Sequence, residues 1–199
     1  MWRRGMENRD PNKIFELEQP FPKWMIEYIE KQLEDIQWTF VHVPKEDQDG
    51  DNYKVPALFI NVMYCTTSRI LDDHHELSKL FHTALTNEII PACIPDAEIN
   101  ELTRSRVNGT VVDMEYGPHN DVKNGLPGLW TFVYYANDAD GDTIFYSDNG
   151  KTEMKRTKYK KGNAVLFPAH YWHNMDVTSA PIRVSIALTY SIETELNGE

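Results

Sequence analysis

The 199-residue sequence predicts one domain that is mainly β, an antiparallel barrel or sandwich with helices packed on its outside. Two observations predict it. After about residue 105, short segments rich in β-branched and aromatic residues follow one another, divided by Gly, Asn, Asp and Pro, with no helical pattern between them. Before that point, two stretches carry apolar residues at helical spacing.

In chain order, Phe21 to Ile36 reads as the first helix. Trp24, Ile26, Tyr28, Ile29 and Leu33 form its apolar stripe, and Pro22 suits its first turn. The acidic, Gly-containing stretch Lys45 to Asn52 reads as a surface loop. A second helix starts near Asp72 or Asp73, both good N-caps, and runs through Leu77, Leu80, Phe81 and Leu85. The predicted strands are Thr110 to Tyr116, Trp130 to Ala136, Thr143 to Tyr146, Ala164 to Phe167 and Ile182 to Tyr190.

Composition bounds the function. Apolar residues make up 41% and aromatic residues 12%, enough for a sizeable core. A formal charge of −11 makes general nucleic-acid binding, or binding to anionic membranes, a poor expectation. It leaves room for a basic peptide, or for a nucleotide in a local basic pocket. Two isolated cysteines, Cys65 and Cys93, with no CxxC, point to a reduced, intracellular (cytoplasmic) setting. The charged N-terminus has no apolar run behind it, so no secretory signal is expected. The longest apolar stretch, Val55 to Cys65, is interrupted by Pro56 and Asn61 and is well short of the roughly 20 residues of a membrane helix.

The chemistry concentrates in the second half. In His119-Asn120-Asp121, an extended backbone puts the imidazole and the carboxylate on one side, where both can reach one ion. Alone the pattern is weak. A second candidate cluster, His74-His75-Glu76, falls in the predicted helix, where residues two apart diverge, and reads as a capped helix start. The HxD gains weight from Lys161 to His173, a turn, an apolar strand and then a histidine, followed ten residues later by Arg183 at a strand start. Two histidines and one carboxylate on one face of iron leave three positions open, the arrangement of non-haem Fe(II) oxygenases. A 2-oxo acid takes two of them and O₂ the third. The acid's far carboxylate then needs a fixed cation, and Arg supplies a planar, bidentate one.

Strand alternation agrees. In Ile182 to Thr189, the large apolar residues share one face and Arg183, Ser185, Ala187 and Thr189 the other, which can line a cavity. An ordinary half-exposed strand with Arg183 in water is the plainer reading of that segment taken alone. His170, three residues before His173, is an alternative ligand, otherwise a rim residue. Trp130 reads as core, with Trp172 near the substrate opening. Cys65 reads as core, and His42 and His82 as structural.

Leu129 to Tyr146, with its Asp-Gly-Asp-Thr turn, and the later Gly162, Leu166-Phe167-Pro168, His173 and Arg183-Val184-Ser185 resemble the prolyl 4-hydroxylase-like 2-oxoglutarate/Fe(II) oxygenases over about residues 107 to 192. The Asp-Gly-Asp-Thr form is similar to members encoded by bacterial viruses. The resemblance implies a double-stranded β-helix (jelly-roll, cupin-like) core over about residues 106 to 192, supported by helices and strands from about residues 1 to 105 in the same domain. It implies Fe(II), 2-oxoglutarate and O₂ as requirements, with succinate and CO₂ as products. It matches His119, Asp121 and His173 to the metal ligands and Arg183 to the 2-oxoglutarate cation. Tyr135 matches a tyrosine that shares the same carboxylate, and Ser185 a more variable position. Tyr116, only three residues before His119, departs from the longer loop that many members have there. Halogenating relatives replace the carboxylate with a small residue, so Asp121 favours hydroxylation. The implied substrate is a prolyl or other residue in a peptide or protein. A free amino acid or nucleotide, a cupin-type metalloprotein and a non-catalytic binding module are the alternatives.

Overall fold

Two antiparallel sheets face each other in the computed structural model, which describes residues 13–41, 58–65, 70–71, 76–112, 117–122, 128–147 and 149–193. The strands are β1 (Phe15–Leu17), β2 (Thr39–Val41), β3 (Leu58–Cys65), β4 (Ile70–Leu71), β5 (Glu98–Val111), β6 (Leu129–Tyr135), β7 (Thr143–Ser147), β8 (Thr152–Thr157), β9 (Ala164–Pro168), β10 (Trp172–Met175) and β11 (Ile182–Glu193). The large sheet has the order β1-β9-β6-β11-β5-β3-β2, with β4 paired to β3, and the small sheet the order β10-β7-β8. From β6 onward the chain passes back and forth between them, with β6, β9 and β11 in the large sheet and β7, β8 and β10 in the small one, along a jelly-roll path. A single bridge between His119 and His173 continues the small sheet past β10.

Alternation along the large sheet separates two cores. On β6, Phe132 and Tyr134 face outward, and with Leu166, Ile186, Leu188 and Tyr190 they pack against the helices α1 (Lys23–Glu34) and α2 (Glu76–Ala84). Phe21 meets Phe81 edge to face at 5.2 Å, and Phe81 lies 5.5 Å from Tyr134, joining helix to sheet. The opposite positions, Tyr135, Val165 and Phe167, meet Phe145 and Tyr159 between the sheets. Only the second of these layers lies between the sheets, where it adjoins the site through Phe145 and Phe167, whose rings stand 6.2 and 4.9 Å from that of His173.

Several sequence expectations are refined. In α1 the buried stripe is Met25 and Ile29, with Ile26 and Leu33 beside it, whereas Trp24 is 62% exposed. A 3.6-residue period brings 25, 29 and 33 onto one face and turns 24 aside. Pro22 caps that helix instead of entering its first turn. After α2 the chain continues as a π-helical turn (Leu85–Ile89) and the short α3 (Ile90–Cys93). The strand expected from Thr110 is the end of the much longer β5. Trp130 is buried in the core, as its sequence context indicates. His82 has a partner, its Nδ1 lying 3.2 Å from the Tyr190 hydroxyl. The loop Lys45 to Asn52, the caps Asp72 and Asp73, His42, His74, His75, Tyr116 and the side chain of Cys65 lie outside the described residues. Among those described, no helix is long and apolar enough to cross a membrane.

Candidate metal centre

His119, Asp121 and His173 come together, with their ligand atoms within 4.8 Å of one another. The backbone does most of this. His119 and His173 sit opposite each other in the bridge, their rings 4.5 Å apart, and the Asp121 N–H donates to the Ala169 carbonyl at 3.0 Å. The extended His119-Asn120-Asp121 backbone then delivers the carboxylate on the histidine side, with Asp121 Oδ2 3.7 Å from His173 Nε2.

The protonation states suit a divalent cation. Burial, with His173 alongside, pushes the His119 imidazole down to about 3, and burial also lowers His173, so both rings are neutral near pH 7. His173 Nδ1 lies 3.0 Å from the Tyr171 carbonyl and His119 Nδ1 lies 3.4 Å from that of Gly117. A carbonyl only accepts, so Nδ1 carries the hydrogen and the lone pair falls on Nε2. Burial opposes the charge on Asp121, but Arg104, His173 and Arg106 outweigh it and hold the carboxyl well below its usual range. Two neutral imidazoles and one carboxylate therefore converge, a donor set that fits a divalent transition metal.

The cavity in front of these groups runs between the sheets. One wall is the inward face of β5 and β11: Asn108 stands opposite Ser185, Thr110 opposite Arg183, and Arg106 opposite Ala187. Val133 continues that wall, and Thr143, Asn174 and Met175 form the other.

Arg183 lies deep in this cavity, buried, instead of on a half-exposed strand. Its Nε donates to the Gly141 carbonyl at 2.9 Å, its Nη2 reaches Thr143 Oγ1 at 3.4 Å, and its guanidinium stands over the Tyr159 ring at 4.5 Å. Among the described residues no carboxylate forms an ion pair with it. Burying a cation outside an ion pair is costly, and burial lowers its pKa against the opposing pull of Tyr159, Tyr135 and Asp142.

Ser185 lines the cavity two residues from Arg183. Tyr135 does not: its hydroxyl donates to Thr143 Oγ1 and contacts Thr157 Oγ1, both at 2.9 Å, one layer behind Arg183. The guanidinium stands over its ring at 5.8 Å, and both residues contact Thr143. His170 is exposed, its ring against Tyr171, and outside the ligand group. Trp172 is half-buried and does not line the cavity. Sequence reasoning missed Arg104, Arg106, Asn108, Thr131, Thr143 and Tyr159. The polar alternation of Arg104, Arg106, Asn108 and Thr110 was the available signal on β5, the same kind that marks β11.

The fold is that of the 2-oxoglutarate/Fe(II) oxygenases, and a His-Asp-His triad stands in its cavity. An oxidoreductase of the 2OG-Fe(II) oxygenase family from Burkholderia pseudomallei superposes with a TM-score of 0.60 at 14% identity, covering 89% of this chain and 84% of that one. A prolyl hydroxylase from Trichoplax adhaerens, in complex with a hypoxia inducible factor oxygen degradation domain peptide fragment, gives a TM-score of 0.63 at 14% identity, covering 90% and 84%. HygX from Streptomyces hygroscopicus, with nickel and 2-oxoglutarate bound, gives 0.59 at 10% identity, covering 91% and 83%. No protein-family model and no curated sequence matches the chain.

Proposed function

We propose that this protein is an iron(II)- and 2-oxoglutarate-dependent dioxygenase, a single catalytic domain that hydroxylates a substrate side chain and releases succinate and CO₂. The observation that carries the reading is the pairing, in one cavity, of a neutral His-His-carboxylate set with a buried arginine that forms no ion pair with a carboxylate among the described residues. The first is a ready divalent-metal site, and the second a ready site for a remote carboxylate.

His119, Asp121 and His173 would hold Fe(II), which with bound 2-oxoglutarate and O₂ supplies the oxidising chemistry. Arg183 would take the far carboxylate of 2-oxoglutarate through Nη1 and Nη2, while its Nε stays fixed on Gly141. Thr143, braced by Tyr135, keeps the guanidinium in place, and Ser185 offers a hydroxyl beside it. The flanking sheets keep water from the reacting centre. Asp121 fills the position that a halide would need, which favours hydroxylation.

The substrate reading is a prolyl or other residue in a peptide or protein. It is supported by the jelly-roll likeness to a prolyl hydroxylase captured with a peptide. A free amino acid or nucleotide is the second substrate class. A cupin-type metalloprotein is disfavoured because no fourth His, Cys, Asp or Glu joins the triad among the described residues. The proposed setting is the cytoplasm, that of a host cell if the gene is viral.

The test is succinate release by the Fe(II)-loaded protein across peptides, amino acids and nucleotides. Succinate formed only with iron and one substrate class, with one labelled oxygen from O₂ in the product, is the expected result. A chlorinated product would overturn the hydroxylase reading, and turnover indifferent to iron would overturn the oxygenase reading itself.

A further inference from the structure

Arg104 stands on the inward face of β5, directly across from Thr189 of β11, and Thr189 is directly across from Thr131 of β6. These three side chains form one row over three neighbouring strands, and the Asp121 carboxylate comes down onto it. Arg104 Nη2 donates to Asp121 Oδ1 at 2.5 Å and to Thr189 Oγ1 at 3.4 Å. Thr131 Oγ1 donates to Asp121 Oδ2 at 2.9 Å and lies 3.4 Å from Thr189 Oγ1. The four side chains close a ring.

The two carboxylate oxygens are not equivalent in it. Oδ2 is the one that approaches His173 Nε2, at 3.7 Å, while Oδ1 is turned toward the guanidinium. A carboxylate can give a cation one oxygen or both. A charge-assisted bond is roughly twice as strong as a neutral one, so the cation holds Oδ1 firmly.

We infer that Arg104 is a positioning residue for the metal centre: it occupies Asp121 Oδ1 so that the carboxylate offers the ion one oxygen and leaves room for the co-substrate. This rests on the reading of His119, Asp121 and His173 as the metal ligands. Arg104 also adds a positive charge beside a cavity that must accept a dianion, which acts in the same direction. If Arg104 only neutralised a buried acid, its loss would cost stability and affect metal and co-substrate alike. A positioning role separates the two.

The experiment measures Mn(II) affinity, then 2-oxoglutarate affinity of the Mn(II)-loaded protein, by calorimetry on the parent, Arg104→Met, Arg104→Lys and Thr189→Val. Circular dichroism and thermal unfolding establish that each variant is folded. In Arg104→Met, the freed Oδ1 can also reach the ion, so Mn(II) affinity should hold or tighten, while 2-oxoglutarate affinity falls about tenfold or more, the loss typical of removing an outer partner. Arg104→Lys should recover most of that loss. Thr189→Val, nearly isosteric, removes the second partner of Arg104 Nη2, so it should show the same split at smaller size, and it carries the test if Arg104→Met does not fold. Parent-like 2-oxoglutarate affinity in the folded variants would overturn the inference, as would equal losses for Mn(II) and 2-oxoglutarate. Failure of the Mn(II)-loaded parent to bind 2-oxoglutarate would instead overturn the reading of the site itself.

Discussion

His119 and His173 exchange both of their backbone hydrogen bonds: the His119 N–H donates to the His173 carbonyl at 2.9 Å, and the His173 N–H to the His119 carbonyl at 2.7 Å. Two residues distant in sequence are thus held side by side by main chain alone. Their rings are aimed before any ion arrives, which lowers the ordering cost of metal binding.

Divalent-metal affinity should therefore depend on each of three side chains and not on the fourth candidate. His119→Ala, Asp121→Ala and His173→Ala should each weaken Mn(II) binding by more than about 100-fold, beyond what losing an outer partner costs. His170→Ala should bind as the parent does, because His170 points to solvent against Tyr171. Calorimetric titration checks all four, and a metal-blind His170→Ala would reassign the ligand.

Co-substrate grip should follow Arg183. Arg183→Ala removes charge-assisted hydrogen bonds in a buried site, and 2-oxoglutarate affinity should fall about 10- to 100-fold with Mn(II) affinity retained. Arg183→Lys should recover only part, since an ammonium cannot reproduce the planar fork. Binding isotherms of the metal-loaded variants decide it. Parent-like values in both would remove Arg183 from its role.

Much of this was legible in the sequence because β-strand alternation and ligand spacing are local signals. The β11 pattern of Arg183, Ser185, Ala187 and Thr189 marks a cavity wall, and the structure puts the first three of these in the lining and Thr189 in the Asp121 ring. The Arg104–Asp121 pair was not legible, because it joins β5 to the 117–122 segment, whose place is set by the His119–His173 bridge and the Asp121 N–H bond to the Ala169 carbonyl, not by sequence proximity. Tyr135 shows the same limit from the other side. Its place in the chain matches a co-substrate tyrosine, but its hydroxyl is engaged by Thr143 and Thr157 on strands β7 and β8, behind the cavity wall that Thr143 forms. The strands β1, β2, β4, β8 and β10 escaped notice because they are short or strongly polar.

Acid should destabilise the metal-free protein. His119 is held at about 3 and His173 is also lowered, both chiefly by burial, whereas an unfolded chain has imidazoles near about 6.5. Below about pH 6.5 the unfolded chain thus binds protons that the folded one does not, so stability falls as pH falls through that range. Asp121, held below its usual range, adds to the loss only at lower pH. The unfolding temperature should drop between pH 7 and pH 5, and saturating Mn(II) should raise it. A flat profile over that range would contradict the neutral, buried imidazoles.

Gly141 should tolerate no side chain. Its φ is +90°, and an added Cβ would lie 2.8 Å from the Asp176 carbonyl, while its own carbonyl receives the Arg183 Nε–H. Gly141→Ala should cost on the order of 1–3 kcal/mol. At roughly 2–4 °C per kcal/mol for a chain of this size, the unfolding temperature should fall visibly. Because the loop also carries Arg183's support, 2-oxoglutarate affinity should fall with it. Calorimetry on the folded fraction at low temperature checks the second effect apart from the first.

The central claim is that one cavity binds a metal and 2-oxoglutarate together. It is tested most directly by titrating 2-oxoglutarate, under nitrogen, into the protein with and without Fe(II), and following the visible absorption that a chelated iron–keto acid complex produces. The expected result is a saturable band with a single site per chain, present only with iron and lost in Asp121→Ala. Binding of 2-oxoglutarate that is indifferent to iron, or no band in the iron-loaded parent, would contradict the account.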